Sequence, residues 1–576
     1  MVQARQSRIL GRGVGCVATL LIVVGMFAAA AHLSQRPPGP AHGTPDSDCV
    51  GVVVVSSQEK SDLLAQMAGE YDATNPRLDG NCVDVRVNTL ASGNAEAALA
   101  RGWSSADGPQ PTVWTPAATS WLGILRQDLI TRDITTLLPS DPPSLMQSPL
   151  VLAMPKPMAQ ALGWPNTPVG WADVLKLAED PQGWGLYGHP EWGRFRLGKT
   201  SPAQSTSGLH ALLATYYAAT GLSADLTAGN VQDPKVVDFV RGVEASVLHY
   251  GNTVSSFLDG LRAADAKGSA MAYVSAIATE EKQVLDYNST KPTTPLVAVY
   301  PKDGTMVADH PYAILNAPWV SASQGAAAKA FLTWLQAPER QQRFLAAGFR
   351  DATGRAAAKL GLDNGVIPSG PALVLKAPAP AVLELVRKSW DNVRKRARIL
   401  LVLDISGSMD GEKLKQVKAA GTAVLDVFAP DDELGLWAFS DQIWKLAPIA
   451  PIGPNHAELA RHIDVLAAGG GTALYRVASD AVKAVQSDWD PTRINAVVLL
   501  TDGQNSDPTD SDLNALLRSL ESQPAASTVP VFTIGYGQDA DLNTLKRIAQ
   551  ASTGRSYNAP DPAQIAGVFA DVISNF

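Results

Sequence analysis

Ile399-Leu400-Leu401-Val402-Leu403, running straight into Asp404-Ile405-Ser406-Gly407-Ser408, is the stretch on which the fold reading turns. Five apolar residues in a row, with none left to face water, suit a strand buried on both faces of a parallel sheet. Ala496-Val497-Val498-Leu499-Leu500 repeats the pattern and is followed by Thr501-Asp502-Gly503. Leu434 to Phe439 and Val531 to Ile534 add two further strand-like runs. Between them lie helical stripes, Leu414, Val417, Gly421, Val424, Leu425 and Phe428 on one, Ile565, Val568, Phe569, Val572 and Ile573 on another, the second opened by Asp561 as cap and Pro562 as first residue. Strands alternating with helices predict an α/β, doubly wound domain over 398–576. In such a sheet ligands bind beyond the carboxyl ends of the strands.

Those ends carry oxygen donors. Asp404, Ser406 and Ser408 follow the first run, Asp502 follows the second, and Gly469-Gly470-Gly471-Thr472 forms a flexible loop ahead of a helix. Two carboxylates and three hydroxyls suit a hard cation such as Mg²⁺, which prefers an octahedral oxygen shell and retains water. Two carboxylates balance a divalent charge and leave the ion able to accept one acidic ligand from outside. As a chain-local alternative, Asp404 and Ser406 simply cap the next helix.

The pattern D-x-S-x-S with a distant Thr and a later Asp resembles the metal-ion-dependent adhesion site of von Willebrand factor A domains. The resemblance implies that Ser406, Ser408 and Thr472 bind the cation directly, that Asp404 and Asp502 act mostly through water, and that a protein partner's carboxylate completes the shell.

Working outward, Gly365 to Pro380 holds four prolines, at 368, 371, 378 and 380, and reads as a linker. It leads to a basic helix over 381–398 whose Leu383, Val386, Trp390 and Val393 share one side. The expectation is that 366–397 forms a linker and a helix docked on the domain that follows.

Upstream, Val50 to Val55, Ser61 to Tyr71, Val83 to Val87 and Ala95 to Ala100 alternate strand and helix, and similar segments continue to about residue 350. The body over 48–365 resembles two-lobed, type II bacterial extracellular solute-binding proteins. Val52 to Ser57 leading into a helix, Ser92-Gly93-Asn94 opening the next, and Pro111 to Thr115 carry the likeness. So do Ser148 to Pro155, similar to the strand crossing to the second lobe, and Pro295 to Tyr300, similar to the return. Helices starting at Ser57, Ser92 and Ser205-Thr206-Ser207 would turn N–H groups and hydroxyls into an interlobe cleft, which suits a small polar or anionic solute. Taken singly, each serine reads first as an ordinary N-cap.

Residues 36–47 form a short tether. Before it, Arg5, Arg8 and Arg12 precede an apolar run from Val14 to Leu33, 20 residues long. That length spans a bilayer and exceeds a signal peptide's usual hydrophobic region, while Ala29-Ala30-Ala31 suits a signal peptidase. Residues 1–35 are therefore a signal-anchor or a signal peptide, with a single pass through the cell membrane favoured and everything beyond Pro40 outside the cytoplasm. In that compartment Cys49 and Cys82, each beside one of two neighbouring strands, are expected to pair.

The 576 residues imply several domains, and the balance of 47 Lys+Arg against 55 Asp+Glu speaks against nucleic acid. Gly193 to Thr200 spells G-x-x-x-x-G-K-T, but Trp192 and Pro190 precede it and Pro202 follows, so it lacks the strand and helix of a nucleotide-binding loop. No nucleotide is expected. The eight histidines form no H-E-x-x-H, and no G-x-S-x-G elbow occurs, so the chain reads as a binding protein and not an enzyme. The leading expectation is a membrane-anchored extracytoplasmic adhesion protein with a Mg²⁺-dependent site for a protein partner. The alternative is a solute receptor for transport or sensing, with the A domain as its docking module.

Overall fold

The computed structural model describes residues 41–576 except 131, 135, 525 and 526. The signal-anchor or signal peptide over 1–35 lies outside the described residues, as does the first part of the tether. Among the described residues, no helix is long and apolar enough to cross a membrane. The chain is mixed α/β, with three sheets among the described residues.

The first lobe opens with β1 (Val50–Ser56), α1 (Gln58–Ala73), β2 (Arg77–Leu78), β3 (Asn81–Thr89), α2 (Ser92–Arg101), β4 (Val113–Thr115) and α3 (Thr119–Ile130). Val52 and Val54 face one core with Val85 and Val87 of β3, and Val53 and Val55 face the other, as alternation along a strand buried on both faces requires. β1 and β3 pair in parallel, Val50 opposite Val83, and Cys49 is disulfide-bonded to Cys82 with Cα atoms 4.7 Å apart.

The second lobe contains β5 (Ser148–Pro155), β6 (Leu197–Thr200), α4 (Thr206–Thr220), β7 (Val247–Gly251), β8 (Ala276–Glu280), β9 (Leu296–Val299) and β10 (Val307–Ala308). β5 is wholly buried and pairs antiparallel with β8, β9 and β10. The return to the first lobe differs from the sequence expectation. Leu296–Val299, expected to carry it, stays in the second sheet beside β5. The chain crosses only after β10, and β11 (Ala313–Ile314) then pairs with β4. An apolar run announces a buried strand but not which sheet takes it. The crossing at 309–312 runs beside the outward one: Leu145 N–H donates to the His310 carbonyl at 3.1 Å, and Tyr312 N–H to that of Pro143 at 2.9 Å.

The linker helix also departs from expectation. α5 (Pro380–Val393) packs on α3 of the first lobe and on α4 and the Pro234–Ala245 helix of the second. Leu383 and Val386 are buried there, Leu383 against the α3 backbone at Gly123, and Ser389 Oγ lies 2.8 Å from Tyr216 Oη of α4. The helix thus bridges both lobes instead of serving only the domain that follows. Its apolar stripe requires burial but names no partner.

The carboxy-terminal domain comprises β12 (Arg396–Asp404), α6 (Glu412–Leu425), β13 (Glu433–Phe439), β14 (Ile443–Pro451), α7 (Leu474–Ser487), β15 (Arg493–Thr501), β16 (Val531–Tyr536), β17 (Ser556–Ala559) and α8 (Ile565–Ile573). Sheet order is β14-β13-β12-β15-β16-β17, all parallel except β14. β12 is central, and its Ile399, Leu401 and Leu403 face one helical layer while Leu400 and Val402 face the other. Asp561 caps the turn Pro562–Gln564 that leads into α8, its Oδ1 accepting from Ala563 N–H at 3.0 Å.

This domain rests on the second lobe. Tyr250 of edge strand β7 donates its N–H to the Asn575 carbonyl at 2.8 Å, and its hydroxyl accepts from Lys395 N–H at 3.0 Å. Asn252 donates to Asp571 Oδ1 at 3.0 Å and accepts from Ser574. Asp432, fully buried, accepts from Arg394, Ala397 N–H and Ala429 N–H, fixing the chain where it enters β12.

Candidate functional sites

Three loops converge at the carboxyl edge of the carboxy-terminal sheet. β12 ends on Asp404, which is fully buried; its Oδ1 accepts from Ser406 N–H at 2.7 Å and its Oδ2 from Thr501 Oγ1 at 2.5 Å. Burial, opposed in part by those bonds, pushes the Asp404 carboxyl up to about 6. Ser406 Oγ lies 3.1 Å from the exposed Ser408 Oγ, which donates to Asp502 Oδ1 at 2.6 Å. A Cβ added at Gly503 would stand 3.3 Å from Thr472 Oγ1 and 3.9 Å from Ser408 Oγ, so Thr472 joins the same cluster and a side chain at 503 would crowd it. All five residues named from the sequence therefore meet at one place. They form a hard-oxygen donor set that fits a Mg²⁺-like cation.

Two further residues shape this edge. Lys413 of α6 places its ammonium 2.5 Å from Asp502 Oδ2, supplying positive charge beside the carboxylate. Ser506 holds the Thr472 loop through reciprocal bonds, Thr472 N–H to Ser506 Oγ at 2.7 Å and Ser506 N–H to the Thr472 carbonyl at 2.8 Å. Ser506 follows Thr501-Asp502-Gly503 closely enough to have been considered from sequence. Lys413 carried no signal beyond its place on a helix.

The second site is the cleft between the lobes, a cavity of about 530 Å³ whose walls include Ser57, Ser92, Ser205, Thr206 and Ser207. Ser57 and Ser205 stand at the N-caps of α1 and α4 and Ser92 begins α2, and none makes a side-chain capping bond. Part of this polar surface is already used across the cleft. Ser92 Oγ accepts from Ala117 N–H at 3.1 Å and lies 3.4 Å from Thr206 Oγ1, which accepts from Trp121 Nε1 at 2.8 Å. Gly93 N–H donates to the Gln204 carbonyl at 2.9 Å, an approach that any Cβ at Gly93 would block. Ser57 Oγ bonds Glu59 and Lys60 instead of facing an open cavity alone.

The cleft floor holds charges that sequence reading passed over. Glu59 and Glu280 line it, and His310 lies buried beside them. Burial pushes Glu280 up to about 7, Lys60 down to about 8 and His310 down to about 3, so the imidazole is neutral. Contacts between residues some 30 to 250 positions apart leave no local pattern to read. Elsewhere, Leu197–Thr200 forms a buried strand, and Lys199 pairs with Glu244, whose other oxygen accepts from Tyr250 Oη at 2.7 Å. The lysine of the G-x-x-x-x-G-K-T stretch thus has a buried carboxylate for a partner.

Comparison with known proteins agrees with this architecture. Residues 52–350 match the family described as bacterial extracellular solute-binding protein, and residues 399–571 match the von Willebrand factor type A domain. The chain belongs to the bacterial extracellular solute-binding proteins. It adds an A domain to the solute-binding body. A Mycobacterium tuberculosis chain described as an uncharacterized protein is 25% identical over 593 residues, covering 97% of this chain and 83% of that one. The inter-alpha-trypsin inhibitor heavy chain H2 of Sus scrofa is 28% identical over 198 residues, which span 32% of this chain and 21% of the heavy chain. Among solved structures, a periplasmic thiamin binding protein is 12% identical, with a TM-score of 0.41, over 59% of this chain and 93% of its own. A von Willebrand factor type A protein from Catenulispora acidiphila is 23% identical, with a TM-score of 0.29, over 32% of this chain and 43% of its own. Both matched families are binding modules.

Proposed function

We propose that the protein is a membrane-anchored, extracytoplasmic binding protein, not an enzyme, whose A domain captures a protein partner through Mg²⁺. Ser406, Ser408 and Thr472 would hold the ion directly, Asp404 and Asp502 from behind them or through water, and a partner's carboxylate would fill the outward position. The observation that carries this reading is the meeting of five oxygen-bearing residues from three loops at one sheet edge, with Ser408 Oγ 3.1 Å from Ser406 Oγ and 2.6 Å from Asp502 Oδ1. A bound ion supplies charge to orient an acidic group; the protein supplies the donor geometry and keeps Asp404 out of water. The test is capture of a membrane partner by the full chain with and without chelator. Retention should vanish with EDTA and with Asp404→Ala alike, and a partner held equally well under all conditions would refute it.

A second reading treats the body as the main receptor, for a small polar solute, with the A domain docking it to a membrane partner. The cleft supports this, since the five hydroxyl residues named from sequence all line it. Native mass spectrometry of the full chain should then reveal a retained small molecule.

A further inference from the structure

The floor of the cleft contains an arrangement that neither module's description explains. His310 sits on the return crossing between the lobes, Glu59 on α1 of the first lobe and Glu280 at the end of β8 in the second. One ligand atom from each lies within 4.8 Å of the other two. His310 is wholly buried, yet neither ring nitrogen has a hydrogen-bond partner, and Glu280 Oε2 is also buried without one. Nε2 stands 3.4 Å from Glu280 Oε2, and Nδ1 stands 3.6 Å from Glu59 Oε1.

These separations are too long or too poorly directed for hydrogen bonds. Whichever tautomer it holds, the His310 ring offers one nitrogen toward each of the two carboxyl groups and hydrogen-bonds with neither. A cation seated between these groups would satisfy the unpartnered buried atoms together. A tetrahedral ion with bonds of about 2.1 Å holds its ligand atoms roughly 3.4 Å apart, the spacing found between His310 and Glu280. Lys60 Nζ ion-pairs with Glu59 Oε1 at 3.7 Å, yet both His310 nitrogens and Glu280 Oε2 stay without a hydrogen-bond partner. Lys60 is bound to Ser57 Oγ and, at 3.2 Å, to the Pro116 carbonyl, and Lys282 is held by Asp286 at 2.5 Å.

We propose that this cluster is a site for a divalent transition cation of the Zn²⁺ type, bound by His310, Glu280 and Glu59, with the remaining position open to the cleft. Mixed nitrogen and carboxylate donors select such ions over Mg²⁺, which takes oxygen. The inference rests on the reading of the cleft as a solute site and deepens it: the captured solute is the metal ion itself. Because its ligands come from both lobes and the crossing between them, the ion would be held only by the closed body.

Titration of the metal-free full chain with Co²⁺ and Zn²⁺, in millimolar Mg²⁺ to occupy the A domain, tests this. One equivalent should bind per chain, with visible Co²⁺ absorption of a low-symmetry nitrogen and oxygen site. His310→Gln and Glu280→Gln should each weaken binding at least tenfold. Should His310→Gln fail to fold, Glu280→Gln and the Co²⁺ spectrum of the unaltered chain still decide. Absence of uptake, or an equivalent that survives both substitutions unchanged, overturns the proposal and leaves a shared proton as the bridging charge. Native mass spectrometry of the same preparation separates the two claims. An organic molecule in the cleft without metal uptake refutes the metal site while upholding the solute reading, and a chain that takes up neither refutes both.

Discussion

The sheet edge of the A domain and the cleft of the body are both lined by serines and threonines, yet they use them in opposite ways. At the A domain edge the hydroxyls converge with two carboxylates, and Ser408 reaches the surface. In the cleft, Ser92 and Thr206 are engaged by Ala117, Trp121 and each other, so the hydroxyls help to hold the lobes together. Residue type alone therefore does not define a polar site. What matters is whether the polar groups are satisfied by their own chain or need something from outside to satisfy them.

The contrast can be broken most sharply at Asp404. Asp404→Ala should abolish measurable Mg²⁺ binding by calorimetry while the protein stays folded. Because Ser406 N–H and Thr501 Oγ1 lose their acceptor, it should also cost about 1–3 kcal/mol in chemical denaturation. Mg²⁺ affinity surviving the change would remove the distinction between the two regions. On the cleft side, Leu383→Ala should cost about 2–5 kcal/mol, since this buried side chain fastens α5 to the first lobe. Mg²⁺ binding should be untouched, and a joint loss would mean that the two regions are not separate.

A smaller effect is expected at Lys413. Its ammonium competes for Asp502, so Lys413→Met should tighten Mg²⁺ binding about tenfold, or about 1.4 kcal/mol. Weaker binding would show that the lysine positions Asp502 instead of competing with the ion.

The subtlest test is titration of Glu96, on α2 beneath α5. Burial, then the neighbouring Asp128, push it up to about 8, against the opposing charge of Arg387. The folded protein thus favours the protonated form more than the unfolded chain does. The resulting stability is complete below about pH 4.5 and is lost as pH rises through about 8. Glu96→Gln should flatten this part of the urea midpoint against pH, and an unchanged slope would refute the assignment.

The two regions also differed in how much their sequences disclosed. The A domain edge was legible because its donors sit immediately after apolar runs, and a parallel sheet brings those ends together. Even there, β14 escaped notice: as a half-exposed edge strand containing Pro448 and Pro451, it lacks the run of buried residues that marks its neighbours. In the body, individual strands and helix starts were readable, but the cluster of Glu59, Glu280 and His310 exists only through folding. The same limit explains the return crossing. Leu296–Val299 was recognisable as a strand, while its antiparallel pairing with β5 depends on tertiary neighbours.

The bridging position of α5 bears on time as well as on stability. Two lobes joined only by their crossings can part by rotation about those segments, whereas here a helix packed on both must slide or lift before they separate. Exchange of a molecule enclosed in the cleft would be paced by that rearrangement. Long residence could then accompany quite ordinary affinity, because the exit rate would be set by the protein's own unlatching and not by the strength of its grip.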